Sequence, residues 1–359
     1  MTIRGVLIEA AYRRLGTVSL SPDGLDEVLE RVKELWRELP PPAPPERAGA
    51  VDGSRNRKEF SGYVVYAVGA ASATFKGSDP EDLEIEADVD LLKPYEYSDS
   101  RLRILMGILE FKRALSLLPE VSLLMLDGSM LGALVRPPSF YHEVEKEIRE
   151  VAEELFEELK ESYSPGKINS KEFYSRFPET ISGRDYAVAA GYLEYLEYLY
   201  TVYLLLKRAK EEGKLLVAVS KRSDSRLHSL DRLLPDIAVL NLLNLPPGFT
   251  EPEFGRKVDT ERKFRYPGEF DDLLRSFEFT VSYLKLGEWV HKLELLETSE
   301  ERLKSFESVL SHLNFYSVSG YPYPLAEVHR SVKITSSDIE EVLRILKLRG
   351  ITGREALGE

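Results

Sequence analysis

The chain has 359 residues, with 48 Lys and Arg against 61 Asp and Glu, a formal net charge of −13, and 43% hydrophobic and 30% charged residues. This is a folding composition, and its length suits two domains or one elaborated α/β domain with a large core. The absence of cysteine excludes disulfides, thiolate chemistry and cysteine-based zinc sites, and with only five histidines any metal site must lean on carboxylates.

Residues 1–39 read as an N-terminal helical arm, with apolar spacing at Leu25, Val28, Leu29, Val32, Leu35 and Trp36. No long apolar stretch precedes a small-residue cleavage site, so no signal peptide is expected and the protein is assigned to the cytoplasm. The run from Pro40 to Pro45 stops the helix and forms a stiff linker. The main domain is expected over residues 46–335, with a helical insertion at about 140–212. A C-terminal helix and tail fill 336–359.

Ala48 to Asp52 predicts a strand that breaks at Gly53-Ser54. Tyr63 to Phe75 predicts a second strand, and strict alternation from Leu83 to Leu91 a half-exposed third. Arg101 to Leu118 is a long apolar helix, and Val121 to Leu126 a buried central strand ending at Asp127-Gly128-Ser129. Glu143–Tyr163 and Arg184–Glu212 are predicted helices. The second carries tyrosines from Tyr192 to Tyr203, a spacing that fits core packing better than base stacking. Its apolar stretch is broken by Glu194 and Glu197, so no membrane span is expected. Leu215–Ser220 and Ile237–Leu243 predict further strands. Phe277–Leu286 with Trp289–Leu295 predicts a hairpin, and Ser299–Leu313 and Ser337–Leu348 helices. Three strands, a crossover helix and a strand returning beside the first is the opening order of ribonuclease H-like domains.

Glutamine is absent and asparagine occurs five times; with so many charges, this is a thermophile's composition. Positive charge gathers locally, with eight Lys and Arg against four acids in Lys207–Arg232, and five against two in Arg256–Arg265. These stretches are expected to line a nucleic-acid path on an acidic protein.

The triplets Asp52-Gly53-Ser54 and Asp127-Gly128-Ser129 each follow an apolar strand. An aspartate at a strand's C-terminal end projects into the crevice where α/β sheets bind ligands, and the following glycine lets the backbone turn away. On neighbouring strands, about 4.8 Å apart, two such carboxylates repel unless a cation lies between them. Glu110, in the intervening helix, has Met106, Gly107 and Ala114 as helical neighbours, an unusual flank for a solvated acid. Asp52, Glu110 and Asp127 together have the strand-helix-strand order of a two-metal phosphodiester hydrolase, and their hard oxygens suit Mg2+ or Mn2+. A fourth ligand is expected between Tyr321 and Lys333, with His329 the first candidate and Glu327 the second; a histidine tilts preference toward Mn2+. Lys221 and Arg222, directly after a strand, are candidates to hold the scissile phosphate, with Arg226 beside them on the DNA path. No P-loop, Gly-x-Ser-x-Gly elbow or His-Glu-x-x-His zinc motif is present.

These residues resemble the NurA nuclease family of archaea and some bacteria. The likeness rests on Val51-Asp52-Gly53-Ser54, Leu126-Asp127-Gly128-Ser129, the Ser220-Lys221 pair, and Tyr321-Pro322 leading to His329. It implies a ribonuclease H-like (PIWI-like) α/β core, a mixed sheet flanked by helices, with helical insertions. The implied activity is that of a Mn2+-dependent deoxyribonuclease, with two ions expected. It would be a 5′→3′ exonuclease and a single-strand endonuclease, working as a homodimer with a hexameric HerA-type ATPase translocase on DNA ends in double-strand break repair. Asp52, Glu110, Asp127 and His329 carry over as metal ligands, and Tyr321 as an active-site residue. Glu327-Val328 departs from the small residue expected before the histidine. Two alternatives stay open: a junction- or RNA-acting nuclease of the same fold, and a non-catalytic adaptor of a DNA motor.

Overall fold

The computed structural model describes residues 3–15, 17, 24–258 and 264–348. Where one helical run was expected up to residue 38, two helices stand, α1 (Ile3–Arg14) and α2 (Leu25–Leu35), followed by a short strand β1 (Trp36–Arg37). Gly24, left-handed at φ 64°, sets the start of α2.

Three long antiparallel strands follow: β2 (Ala48–Glu59), β3 (Val64–Lys76) and β4 (Asp79–Leu92). Then come α3 (Ser98–Leu117), β5 (Leu123–Asp127), α4 (Met130–Leu134), α5 (Lys146–Glu161), α6 (Gly183–Glu211) and β6 (Leu215–Ser220). The rest comprises α7 (Asp236–Leu242), β7 (Gly248–Thr250), β8 (Glu253–Lys257), α8 (Phe270–Arg275), the hairpin β9 (Glu278–Lys285) and β10 (Val290–Leu296), α9 (Arg302–Phe315), α10 (Tyr323–Val332) and α11 (Ser336–Ile345). A two-residue ribbon, Ser317–Val318 with Tyr321–Pro322, precedes α10.

One 10-stranded mixed sheet runs β1-β7-β9-β10-β6-β5-β2-β3-β4, with β8 added beside β9. The strands β2, β5 and β6 are mutually parallel, and the other pairings are antiparallel. On one face α3, α5 and α6 form the larger core, with Leu105, Ile108, Leu155, Leu193 and Leu199 packed on Val51, Val68 and Leu126. On the other, α9 and α10 bring Phe306, Leu310, Leu325 and Val328 onto Ala50, Met125 and Val219.

One expected strand is corrected. Ile237–Leu243 is helical, because a short apolar run does not distinguish helix from strand; Pro235 caps α7, and buried Asp236 accepts from the amides of His228 and Leu230. The apolar stripe of α2 finds its partner within the chain, with Val28 and Val32 buried against Ile237, Leu240 and Tyr283. The tyrosines of α6 are core residues, and Tyr192, Tyr195 and Tyr198 are buried. Among the described residues, no helix is long and apolar enough to cross a membrane.

Candidate active site

The parallel ladder between β2 and β5 ends at Val51 opposite Leu126. Beyond it β2 continues beside β3, whereas Asp127 pairs with Val219 on β6. The two strands part, and the crevice opens where Asp52 and Asp127 stand at equivalent register, Asp127 at the C-terminal end of β5 and Asp52 within β2, just past the end of the parallel ladder. Strand alternation puts both on the face covered by α10.

The matching triplets do different work. Gly128 turns the chain at φ 122°, and Ser129 caps α4 by accepting from the amide of Gly132. Gly53, expected to break the strand, lies within continuous β2. Its bare α-carbon makes room for Glu110: a Cβ there would come 2.9 Å from Glu110 Oε2 and 3.0 Å from Met106 Cγ. Gly107 is needed for a separate reason, since Tyr198 of α6 packs so closely that a Cβ would lie 2.6 Å from its ring.

His329 projects from α10, a helix spanning Tyr323–Val332. Its Nδ1 donates to Asp52 Oδ2 at 2.7 Å and stands 3.9 Å from Asp127 Oδ2. One ligand atom each from Asp52, Asp127 and His329 lies within 4.8 Å of the others. Two hard carboxylates and an imidazole form a donor set suited to Mn2+ or Mg2+. Glu110 is outside that tight group but faces the same crevice, and none of the ion pairs among the described residues involves it. Glu327 instead pairs with Arg330.

The electrostatics suit a cation. Burial, then the charge of Asp127, raises the Asp52 carboxyl above its ordinary range, against the bond from His329. Burial raises Glu110 well above its ordinary value, helped by the charges of Asp52 and Asp127. Lys221 Nζ bonds Asp127 Oδ2 at 2.7 Å and lies 4.4 Å over the ring of Tyr321. Burial, reinforced by Asp127 and Asp52, pushes the Tyr321 hydroxyl up, so it stays protonated.

A cleft of about 680 Å³ adjoins Asp127 and Glu110 and carries Arg103, Arg136, Arg222, Arg256, Lys257 and Lys292. It contains only part of the expected basic path. Lys207, Arg208, Lys210 and Lys214 precede β6 and sit at the end of the sheet away from the crevice. The guanidinium of Arg226 donates to the carbonyls of Asp231, Arg232 and Leu233 and holds its own loop. Arg262 and Lys263 lie outside the described residues.

Sequence reasoning missed His291, Lys292, Glu294, Arg103 and Arg136. Two charges at alternate positions of the apolar run Val290–Leu296 were a usable signal for Lys292 and Glu294. Arg103 falls seven residues before Glu110 on one helix, a spacing that puts both on the same face. Arg136 lies in a loop with no comparable pattern.

The NurA domain family model matches residues 46–334. The chain is 26% identical over 327 residues to the probable DNA double-strand break repair nuclease NurA of Methanocaldococcus jannaschii, covering 86% of this chain and 80% of that protein. The crystal structure of the NurA nuclease from Sulfolobus solfataricus superposes with a TM-score of 0.67 at 20% identity, spanning 96% of this chain and 93% of that one. A crystal structure of NurA bound to dAMP and manganese gives 0.65 at 19% identity, spanning 96% and 95%. The α/β fold, with a mixed sheet between helical layers, is the one those structures have.

Proposed function

Because this chain belongs to the NurA family, we propose that it is a metal-dependent DNA nuclease that trims DNA ends in double-strand break repair. The observation that carries this reading is the convergence of Asp52, Asp127 and His329 beside a cleft rich in arginine and lysine. Asp52, Asp127 and His329, with Glu110 beside them, would hold Mn2+ or Mg2+, as two ions. Bound there, such ions supply Lewis-acid activation of the phosphodiester and of the attacking water.

The protein's own groups do the rest. Arg222 and the other cleft cations hold the strand through its phosphates. Lys221, bonded to Asp127, fixes that carboxylate and offers charge to the scissile phosphate. Tyr321, kept protonated, supports Lys221 with its ring face. Water adds to phosphorus, the bond to the sugar oxygen breaks, and that oxygen leaves with a proton.

The opening strand order and the placement of the acids favour a ribonuclease H-like (PIWI-like) core. We extend the reading to 5′→3′ exonuclease and single-strand endonuclease activity, to a cytoplasmic location, and to a homodimer working with a HerA-type hexameric translocase. The edge strand β4 exposes Leu83, Ile85 and Val89 in a row, an apolar strip that suits an intersubunit contact. The test digests end-labelled duplex, single-stranded, junction and RNA-hybrid substrates with Mn2+, Mg2+ or EDTA. Metal-dependent loss of DNA ends that disappears in Asp52→Asn is expected. Equal activity in that variant, or none with either metal, would refute the proposal, and preference for junctions or RNA would favour another nuclease class.

A further inference from the structure

Resting on the nuclease reading, we infer that Lys292 binds a phosphate of the substrate strand, and that Glu294 positions it together with the turn after Asp127. Both residues lie on β10, in the interior of the sheet between β9 and β6. They alternate with Leu293 and Leu295, which belong to the opposite core. Lys292 stands across from Ser220, the residue before Lys221, and its side chain lines the cleft with Asp127, Glu110 and Arg222.

The two charges are satisfied unequally. Glu294 is 1% exposed and saturated: Oε1 accepts from Ser129 Oγ at 2.6 Å and pairs with Lys292 Nζ at 2.8 Å, and Oε2 accepts from the amide of Leu131 at 2.9 Å. Lys292 is 7% exposed, and Glu294 is the one partner of its ammonium among the described residues. Lys112 shows what a purely structural buried lysine looks like. Its ammonium is enclosed by the carbonyls of Ser164 and Lys167, Asn169 Oδ1 and Glu197 Oε1. An ammonium has three donors, and a buried pair adds little stability over apolar residues of the same shape. A desolvated cation with donors left over, facing a cleft, fits an anionic ligand. Since Glu294 also grips Ser129, the cation and the Asp127 turn are held in one frame.

The test is a methylphosphonate scan of a single-stranded oligonucleotide, neutralising one phosphate at a time. In the wild type, neutralising the phosphate held by Lys292 should slow cleavage roughly 10- to 100-fold, as for loss of a charge-assisted hydrogen bond. In Lys292→Met and Lys292→Gln, cleavage should be slow already and that position's penalty should disappear, while penalties elsewhere persist. Lys292→Arg should restore binding, and Glu294→Gln should raise KM more than it lowers kcat. If the wild type is inactive on the unmodified strand, the nuclease reading fails first. If it is active and the folded variants keep every penalty, the inference is wrong. Loss of fold in both neutral variants would make Lys292 structural and also overturn it.

Discussion

The carboxylate of Glu110 occupies the space that a side chain at residue 53 would fill, with Oε2 only 2.9 Å from the Cβ position of Gly53. Gly53→Ala should therefore displace Glu110 from the crevice. No positive φ constrains this glycine, so the effect is one of space. Cleavage should fall by about 10-fold or more, and Gly53→Ala combined with Glu110→Ala should be no worse than Glu110→Ala alone. Additive losses in that cycle would separate the two residues.

Glu110→Gln should abolish cleavage yet raise the melting temperature of the metal-free protein at neutral pH. Its carboxyl is raised in the fold, so below pH 4.5 folded and unfolded chains both hold the proton and no penalty exists. As pH rises through the folded-state value, the unfolded chain ionises first and stability is lost. Melting curves in EDTA should show the gain shrinking toward pH 4.5. A gain independent of pH would contradict the assignment.

His291 should act in the opposite sense. Its ring is buried against Tyr321, with centroids 5.1 Å apart, and burial together with Lys221 depresses it from 6.5 to about 4. Stability is then full above pH 6.5 and falls as pH drops toward 4, by up to about 3 kcal/mol. His291→Phe keeps the ring contact and should flatten that part of the profile. Denaturant titrations of both proteins at pH 7 and pH 4.5 measure the difference.

Arg222 and Arg226 should separate binding from folding. Arg222→Ala removes a cleft cation, so single-strand affinity should fall and the salt slope shrink by about one. Arg226→Ala removes three hydrogen bonds to carbonyls of its loop and should lower stability by about 1–3 kcal/mol. The DNA salt slope of Arg226→Ala should match the wild type. A lowered slope there would return Arg226 to the DNA path.

Periodicity and end signals were enough to read the sheet's opening strands, the helix bearing Glu110 and the two Asp-Gly-Ser triplets, because each is a local pattern of a few residues. Local pattern could not say that one triplet turns the chain while the other stays extended. That depends on whether a neighbouring strand continues, and β2 continues beside β3 where β5 stops. It also misread Ile237–Leu243, whose apolar run suits either state until Asp236 finds the amides of His228 and Leu230.

The sequence by itself determined which chemistries were open: oxygen and imidazole ligands, no thiols, and acids ordered along strands and a helix. Tertiary structure alone decided which charges share a space. His329 meets Asp52 across 277 positions of sequence, and Glu294 meets Ser129 across 165. It separated Lys221 and Arg222, which reach the crevice, from Lys207 to Lys214 at the far end of the same strand, and it gave Arg226 to its own loop. The physical reason is that spacing along a chain fixes only the neighbours on one strand or helix face. Which faces meet is fixed by strand register and by the burial of side chains far apart in sequence.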